Sequence, residues 1–232
     1  MTGKLYGIGV GPGDPELLTL KAKRVLENSE VIAIPVKVLG EHSVAMDIVT
    51  QVVDVSQKKV IEVLFSMNPD DDVRVKCRAD AGKQLTDELE KGRDIAMITI
   101  GDVAVYSTYM YINQYIEEAG FATEIIPGIP SFCSGAALAK LPLMEGRESL
   151  VIIPSTQDGT LLANALTMFE NIVVMKAGGE SMRKLAATMT EKGIALSKAT
   201  VISRAGLDGQ YIGPIDLQQD YNYLTTVIIK KK

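Results

Sequence analysis

Tryptophan is missing from this 232-residue chain, histidine occurs once, as His42, and cysteine twice, as Cys77 and Cys133. With a single imidazole, most chemistries built on a histidine base are excluded. His42 would also supply one ligand where a bare metal site needs several, so no protein-bound metal is expected, and it reads as an ordinary surface residue. Two cysteines without CxxC spacing leave neither structural zinc nor a disulfide framework. No apolar run approaches the about 18 residues of a membrane span, and the start, Met1-Thr2-Gly3-Lys4, lacks the basic-then-apolar pattern of a signal peptide. A cytoplasmic location away from membranes is the expectation. Positive charge is not in excess either. Lys and Arg number 24 against 29 Asp and Glu, a net charge of −5, which argues against a nucleic-acid partner. The only basic run, Lys230-Lys231-Lys232, reads as a solvated terminus.

What is present is a succession of apolar, β-branched runs: Leu5–Val10, Val31–Val36, Val60–Phe65, Ile95–Ile100, Thr123–Ile126, Leu150–Ile153, Ile172–Met175, Thr200–Ser203 and Leu224–Ile229. Helical patterns lie between many of them. In the first, Leu18, Ala22, Val25 and Leu26 share a face, with Asp14 as N-cap and Pro15 at N1. Further helices are expected over Asp71–Lys91, Tyr106–Ala119, Ser131–Lys140, Leu161–Phe169 and Ser181–Lys192. The alternation predicts an α/β chain with mostly parallel pairing. The close spacing of the later strands admits antiparallel pairs. A helix ending near Gly120 suggests a boundary there, giving two α/β domains, 1–118 and 119–232, with a cleft between them.

Three turns follow apolar strands: Gly9 to Pro15, Gly101-Asp102-Val103-Ala104-Val105-Tyr106, and Pro127-Gly128-Ile129-Pro130-Ser131. Turns at a sheet's carboxyl edge are where open α/β sheets bind small molecules. The alternating Gly7, Gly9, Gly11 and Gly13 invite comparison with a dinucleotide fingerprint, but the register fails. The third glycine falls on Pro12 or Asp14, and Val31–Val36 ends apolar where an acidic ribose ligand should stand. The Walker-A lysine and hydroxyl are absent too. Two readings stay open for the loop: a tight strand-to-helix turn that binds nothing, or a main chain bared for a flat substrate.

Together the turns resemble the tetrapyrrole methyltransferase family, the non-Rossmann class III that uses S-adenosylmethionine (SAM). Gly9-Val10-Gly11-Pro12-Gly13-Asp14-Pro15-Glu16-Leu17-Leu18 is similar to its N-terminal signature. Gly101-Asp102 with Tyr106 resembles its Gly-Asp-Pro motif, with Val103 in place of the usual proline, and Ile126 to Ser131 resembles its third motif. Val173-Val174-Met175-Lys176 and Ser203-Arg204-Ala205-Gly206 stand where the family has cofactor-contacting loops. Tyr106 to Tyr109, Pro130-Ser131-Phe132-Cys133 and Phe65-Ser66-Met67 are most similar to members that methylate C20 of precorrin-2 or cobalt-factor II in cobalamin synthesis. The resemblance implies SAM as methyl donor, a tetrapyrrole-side N-terminal domain, a SAM-side C-terminal domain and a homodimer. It carries cofactor contacts onto Pro12, Gly101, Asp102, Val105, Tyr106, Ser131, Phe132, Met175 and Ala205. In it the Asp102 carboxylate meets the cofactor's amino group, and main-chain groups of Ser131, Met175 and Ala205 read the adenine edge. Each has a plainer alternative: Asp102 as helix cap, Met175 as core, Tyr106 as a packed aromatic.

Methyl transfer from a sulfonium needs reactants held roughly 3–3.5 Å apart with water excluded, and little covalent help. A chain nearly free of histidine suits that chemistry, and no residue is assigned as catalytic base. The implied substrate is a polycarboxylate, so a basic rim is expected from Lys176, Arg204, Arg147 and Lys37, with Gly11 and Asp14 also on the substrate side. Rival readings are a sibling methyltransferase, acting on uroporphyrinogen, in the diphthamide pathway or on ribosomal RNA, and a non-catalytic SAM- or tetrapyrrole-binding module.

Overall fold

The computed structural model describes residues 2–66, 68 and 70–232, so Met67 of the Phe65-Ser66-Met67 segment lies outside the described residues. The chain divides into two compact units, Met1–Pro130 and Ser131–Lys232.

The first unit alternates β1 (Lys4–Gly9), α1 (Leu20–Asn28), β2 (Val31–Val36), α2 (Val44–Thr50), β3 (Lys59–Leu64), α3 (Asp71–Leu89), β4 (Ile95–Thr99), α4 (Tyr109–Glu118) and β5 (Ala122–Ile126). Its sheet has the order β3-β2-β4-β1-β5 with every pairing parallel. Successive residues of a strand face opposite sides, which is why uninterrupted apolar runs serve here. Leu5, Val31, Ala33, Ile95 and Met97 pack on one side with Leu85, Leu89, Ile112 and Ile116 of α3 and α4. Ile8, Ile32, Ile34, Ile98 and Ile126 pack on the other with Ala22, Leu26, Ile48 and Val49 of α1 and α2. From adjacent β1 and β4 the chain therefore departs to opposite faces, and the carboxyl edge between them is left to loops. Strand β5 lies past the boundary expected at 118/119; it pairs with β1 through Leu5↔Thr123 and Ile8↔Ile126.

The second unit comprises α5 (Ser131–Leu138), β6 (Leu150–Ile153), α6 (Gly159–Met168), β7 (Asn171–Val174), α7 (Glu180–Glu191), β8 (Ala199–Ser203), β9 (Tyr211–Gly213) and β10 (Thr225–Lys230). Its sheet order is β6-β7-β10-β8-β9. Only β6 and β7 pair in parallel, so the antiparallel pairs expected among the later strands are present. Central β10 runs against both its neighbours, which brings its amino end to the carboxyl ends of β7 and β8.

Two helix starts differ from expectation. Asp14 does cap, accepting from Glu16 N at 2.9 Å, but what it caps is a single 3-10 turn, Pro15–Leu17. Helix α1 starts afresh behind Thr19, whose hydroxyl accepts from Ala22 N, so Leu18 lies before the helix. Helix α4 begins at Tyr109 instead of Tyr106, because Tyr106 holds a φ of 52° that no right-handed helix admits.

Glu88, at the end of α3, is the one buried acidic side chain among the described residues, 6% exposed, and is surrounded by cations. Oε1 accepts from Lys59 Nζ at 2.8 Å and Lys91 Nζ at 2.7 Å, and Oε2 from Arg93 Nη1 at 2.8 Å. These bonds, those of Lys59 and Lys91 first, hold its carboxyl at about 2, against an ordinary 4.5. A depressed folded-state value stabilises the fold fully above the ordinary value, and that share is lost as pH falls from 4.5 toward 2. Glu88→Gln is therefore expected to cost roughly 2 kcal/mol at pH 7. The gap to the native protein should close as both are titrated to pH 2 in denaturant unfolding. A gap that does not change with pH would contradict this. Comparing the two proteins cancels Glu124, which Lys21 and Lys4 hold at about 2 in the same window.

Candidate functional site

In the first unit the three turns meet at the carboxyl edge of the sheet. Gly11 N donates to Gly101 O at 3.2 Å and Gly101 N to Gly11 O at 2.7 Å, an isolated antiparallel bridge between the loops leaving β1 and β4. Both glycines take left-handed backbone, with φ of 80° and 75°. The third turn closes against this pair. A Cβ on Gly128 would stand 2.2 Å from Gly101 O, and one on Gly9 would stand 2.5 Å from Gly128 N. Gly9 and Gly128 therefore have a packing role. At Gly9 the space a side chain would fill holds another loop's main chain, so this glycine packs loop on loop and does not bare a surface for a flat ligand.

Asp102 ties the same turns together. Oδ1 accepts from Ala104 N and Oδ2 from Gly128 N, each at 2.8 Å. The carboxylate thus closes its own turn and anchors the third motif, and it does not cap a helix, since α4 starts at Tyr109 behind Thr108. Val103, the departure from the family's proline, is fully buried in the core beside Tyr109 and Ile112, which explains why another apolar residue is tolerated. Burial pushes the Tyr109 hydroxyl well above the usual range; it donates to Asn113 Oδ1 at 3.0 Å and serves packing. Pro12 is buried, Val105 partly so, and Tyr106 is 49% exposed.

In the second unit the residues singled out from the sequence gather where β7 and β8 end. Met175 N donates to Ile153 O at 3.0 Å, so its amide is already engaged within the sheet. Phe132 and Ala205 are each 7% exposed, and Ser131 Oγ lies 3.3 Å from Thr226 Oγ1. Lys176 Nζ sits over the Tyr223 ring, 5.5 Å from its centroid. Arg204 turns its Nε onto Asp208 O within its own loop. Of the remaining basic candidates, Lys37 and Arg147 are exposed, on the loops after β2 and before β6. His42 pairs with Asp47 at 2.9 Å on the surface. No group of three or more potential metal ligands occurs among the described residues, and no helix among them is long and apolar enough to cross a membrane.

Sequence reading missed one shared property of these sites. Four non-glycine residues among those described have positive φ: Tyr106, Lys140, Lys176 and Arg204. Such backbone costs roughly 1–3 kcal/mol per residue and persists only where its surroundings over-determine it. Three of the four are residues to which the sequence had assigned ligand contacts. Nothing in composition or periodicity announces a left-handed lysine, so no sequence signal was available. The pairing of Ser203 with Thr225 has no sequence signal either, since in a strand pattern Thr and Ser read as ordinary sheet residues.

Comparison with known proteins identifies the family. The family model for Tetrapyrrole (Corrin/Porphyrin) Methylases matches residues 4–219. The chain is 39% identical over 173 residues to a probable cobalt-precorrin-2 C(20)-methyltransferase of Methanocaldococcus jannaschii, covering 75% of this chain and 72% of that one. It is 31% identical over 236 residues to the cobalt-precorrin-2 C(20)-methyltransferase of Salmonella typhimurium, covering 100% and 98%. In fold it is similar to uroporphyrin-III C-methyl transferase from Thermus thermophilus complexed with S-adenosylhomocysteine, with a TM-score of 0.73 at 18% identity over 99% and 98% of the two chains. A family model spanning nearly the whole chain, on a fold whose three motif turns are joined as described, leaves one conclusion: the chain belongs to the tetrapyrrole (corrin/porphyrin) methylases.

Proposed function

We propose that this protein is a SAM-dependent C-methyltransferase that adds a methyl group to C20 of precorrin-2, in its cobalt-bearing form, during cobalamin biosynthesis. The observation that carries the reading is the end-to-end match, at 31% identity, to an enzyme named for that reaction. The more identical M. jannaschii relative bears the same name as a probable function, and both names specify cobalt. SAM supplies an electrophilic methyl on sulfur, and the chain's task is to hold it, orient it and keep water away. From the first unit Pro12, Gly101, Asp102, Val105 and Tyr106 are assigned to the cofactor, and from the second Ser131, Phe132, Met175 and Ala205. Lys176, Arg204, Gly11 and Asp14 are assigned to the tetrapyrrole, with the two cations offsetting substrate carboxylates. Because Arg204 Nε is engaged by Asp208 O, its part in that rim falls to the terminal nitrogens. Asp14 and Asp102 each already accept a backbone N–H, and neither is assigned as a base. A cytoplasmic homodimer completes the proposal on the strength of the family resemblance, and sedimentation of the purified protein tests the dimer.

The test of the activity is an anaerobic assay with purified protein, SAM, and either precorrin-2 or its cobalt-bearing form, supplied both as cobalt-precorrin-2 and as the oxidised cobalt-factor II, reading product mass. One added methyl on the cobalt-bearing substrate is the expected result. Addition only to the metal-free substrate would correct the metal assignment. No addition to either, while SAM still binds, would overturn the C20 assignment.

A further inference from the structure

Two strained turns in the second unit share a single support. The amide of Ala177, next to left-handed Lys176, donates to Thr225 O at 2.9 Å. The amide of left-handed Arg204 donates to Leu224 O, also at 2.9 Å. Consecutive carbonyls of a strand point to opposite neighbours, so residues 224 and 225 hold one turn on each side. The corner that presents these carbonyls is itself locked. Leu224 N donates to Asn222 Oδ1 at 3.0 Å, and the Thr225 hydroxyl donates to Asn222 O at 2.7 Å. Ser203 Oγ lies 2.9 Å from Thr225 Oγ1, and in the β10–β8 register the two residues stand opposite each other. Because the Thr225 proton is committed to Asn222 O, Ser203 is the donor in that pair. Thr225 and Ser203 are both buried, at 1% and 5% exposure, where an unmade hydrogen bond is costly.

We propose that the Asn222–Thr225 corner, locked by the Thr225 and Ser203 hydroxyls, is a positioning element that sets the Lys176 and Arg204 turns as one unit. Thr225 touches no ligand in this assignment; it acts through the two turns. The proposal rests on the functional reading above only in what the turns bind. If the corner is lost, Met175, Lys176, Arg204 and Ala205 relax together, and affinity falls while the chemical step is unaltered in the molecules that bind.

The experiment compares Thr225→Val, which keeps the shape and deletes the hydroxyl, with Thr225→Ser, which keeps the hydroxyl. Ser203→Ala deletes the donor from the other side. Amide hydrogen exchange is read at Ala177 and Arg204, with Ile172 and Val173 in β7 as internal controls. The S-adenosylhomocysteine Kd is measured by calorimetry, and kcat by turnover. In Thr225→Val both turn amides should exchange about tenfold faster with the controls unchanged, and Kd should rise about tenfold, or ~1.4 kcal/mol, with kcat held. Thr225→Ser should restore all of these, and Ser203→Ala should speed both turns. Should Thr225→Val not fold, Ser203→Ala decides the question by the same readouts. Faster exchange at one turn alone overturns the shared support. A lowered melting temperature with exchange at both turns and Kd unchanged overturns the positioning role. If the unaltered protein binds no S-adenosylhomocysteine, the functional reading fails, and the paired exchange rates alone decide for or against the corner.

Discussion

Gly128→Ala is expected to remove cofactor binding and to destabilise the first unit more than any other single-methyl change at the motif turns. The added carbon would lie 2.2 Å from Gly101 O and 2.7 Å from both the carbonyl carbon and oxygen of Gly9. All three are main-chain atoms, so no side chain can rotate aside. The third turn must withdraw from the other two, and the Gly128 N–Asp102 Oδ2 bond goes with it. Overpacking in cores costs ~1–3 kcal/mol when side chains can adjust; with backbone on both sides the upper figure is the floor, about 3 kcal/mol. That corresponds to a loss of roughly 6–12 °C in melting temperature. Gly11→Ala is the matched control. Its Cβ would meet nothing nearer than 3.4 Å, so only the left-handed φ of 80° is penalised, at about 1–2 kcal/mol. Thermal unfolding and S-adenosylhomocysteine calorimetry on both variants read the difference. Equal melting temperatures for the two, or native affinity in Gly128→Ala, would refute the packing argument.

Sequence patterns located most elements because the parallel sheet of the first unit is buried on both faces, and such strands are continuous apolar runs. They stopped short where local signals are weak or tertiary contacts decide. Helix α2 has a capping serine, Ser43, whose hydroxyl accepts from Met46 N, but seven residues give too little periodicity to stand out from a loop. Strand β9 is three residues long and exists through its antiparallel pairing with β8. The helix expected over Tyr106–Ala119 is present, but the sign of one φ, at Tyr106, moves its start to Tyr109. At the site, the three motif turns were legible as turns after strands, and the glycines as a requirement for bare main chain. What they required it for was not legible. Gly9, Gly101 and Gly128 lie far apart in sequence, and only the strand order β4-β1-β5 makes their loops neighbours. The basic residues were legible as charge, whereas Arg204's bond to its own loop needed coordinates.

Asp102→Ala is expected to lower kcat/KM for SAM about a hundredfold, or ~2.7 kcal/mol, with most of the loss in KM. The Asp102 carboxylate makes two bonds. Its oxygens are the acceptors for Ala104 N and Gly128 N, and truncation strips both amides of their partner. The side chain is partly exposed, so water can replace part of each bond, and the structural loss is held to ~1–2 kcal/mol. The remainder comes from the turn bearing Val105 and Tyr106, which loses its tie to the third motif. Asp102→Asn separates the two contributions. An amide side chain keeps one acceptor oxygen but turns an N–H₂ group toward the second amide, so it can serve Ala104 or Gly128 and not both. If anchoring dominates, Asn should fall midway between native and Ala in both melting temperature and KM. If a direct contact between carboxylate and the cofactor's amino group dominates, Asn should still fall midway in melting temperature yet share the KM of Ala. Steady-state kinetics paired with thermal unfolding distinguishes the two. An Asp102→Ala enzyme with native KM and kcat would remove Asp102 from the site altogether. The anchoring outcome is the expected one, because each carboxylate oxygen is already committed to an amide at 2.8 Å.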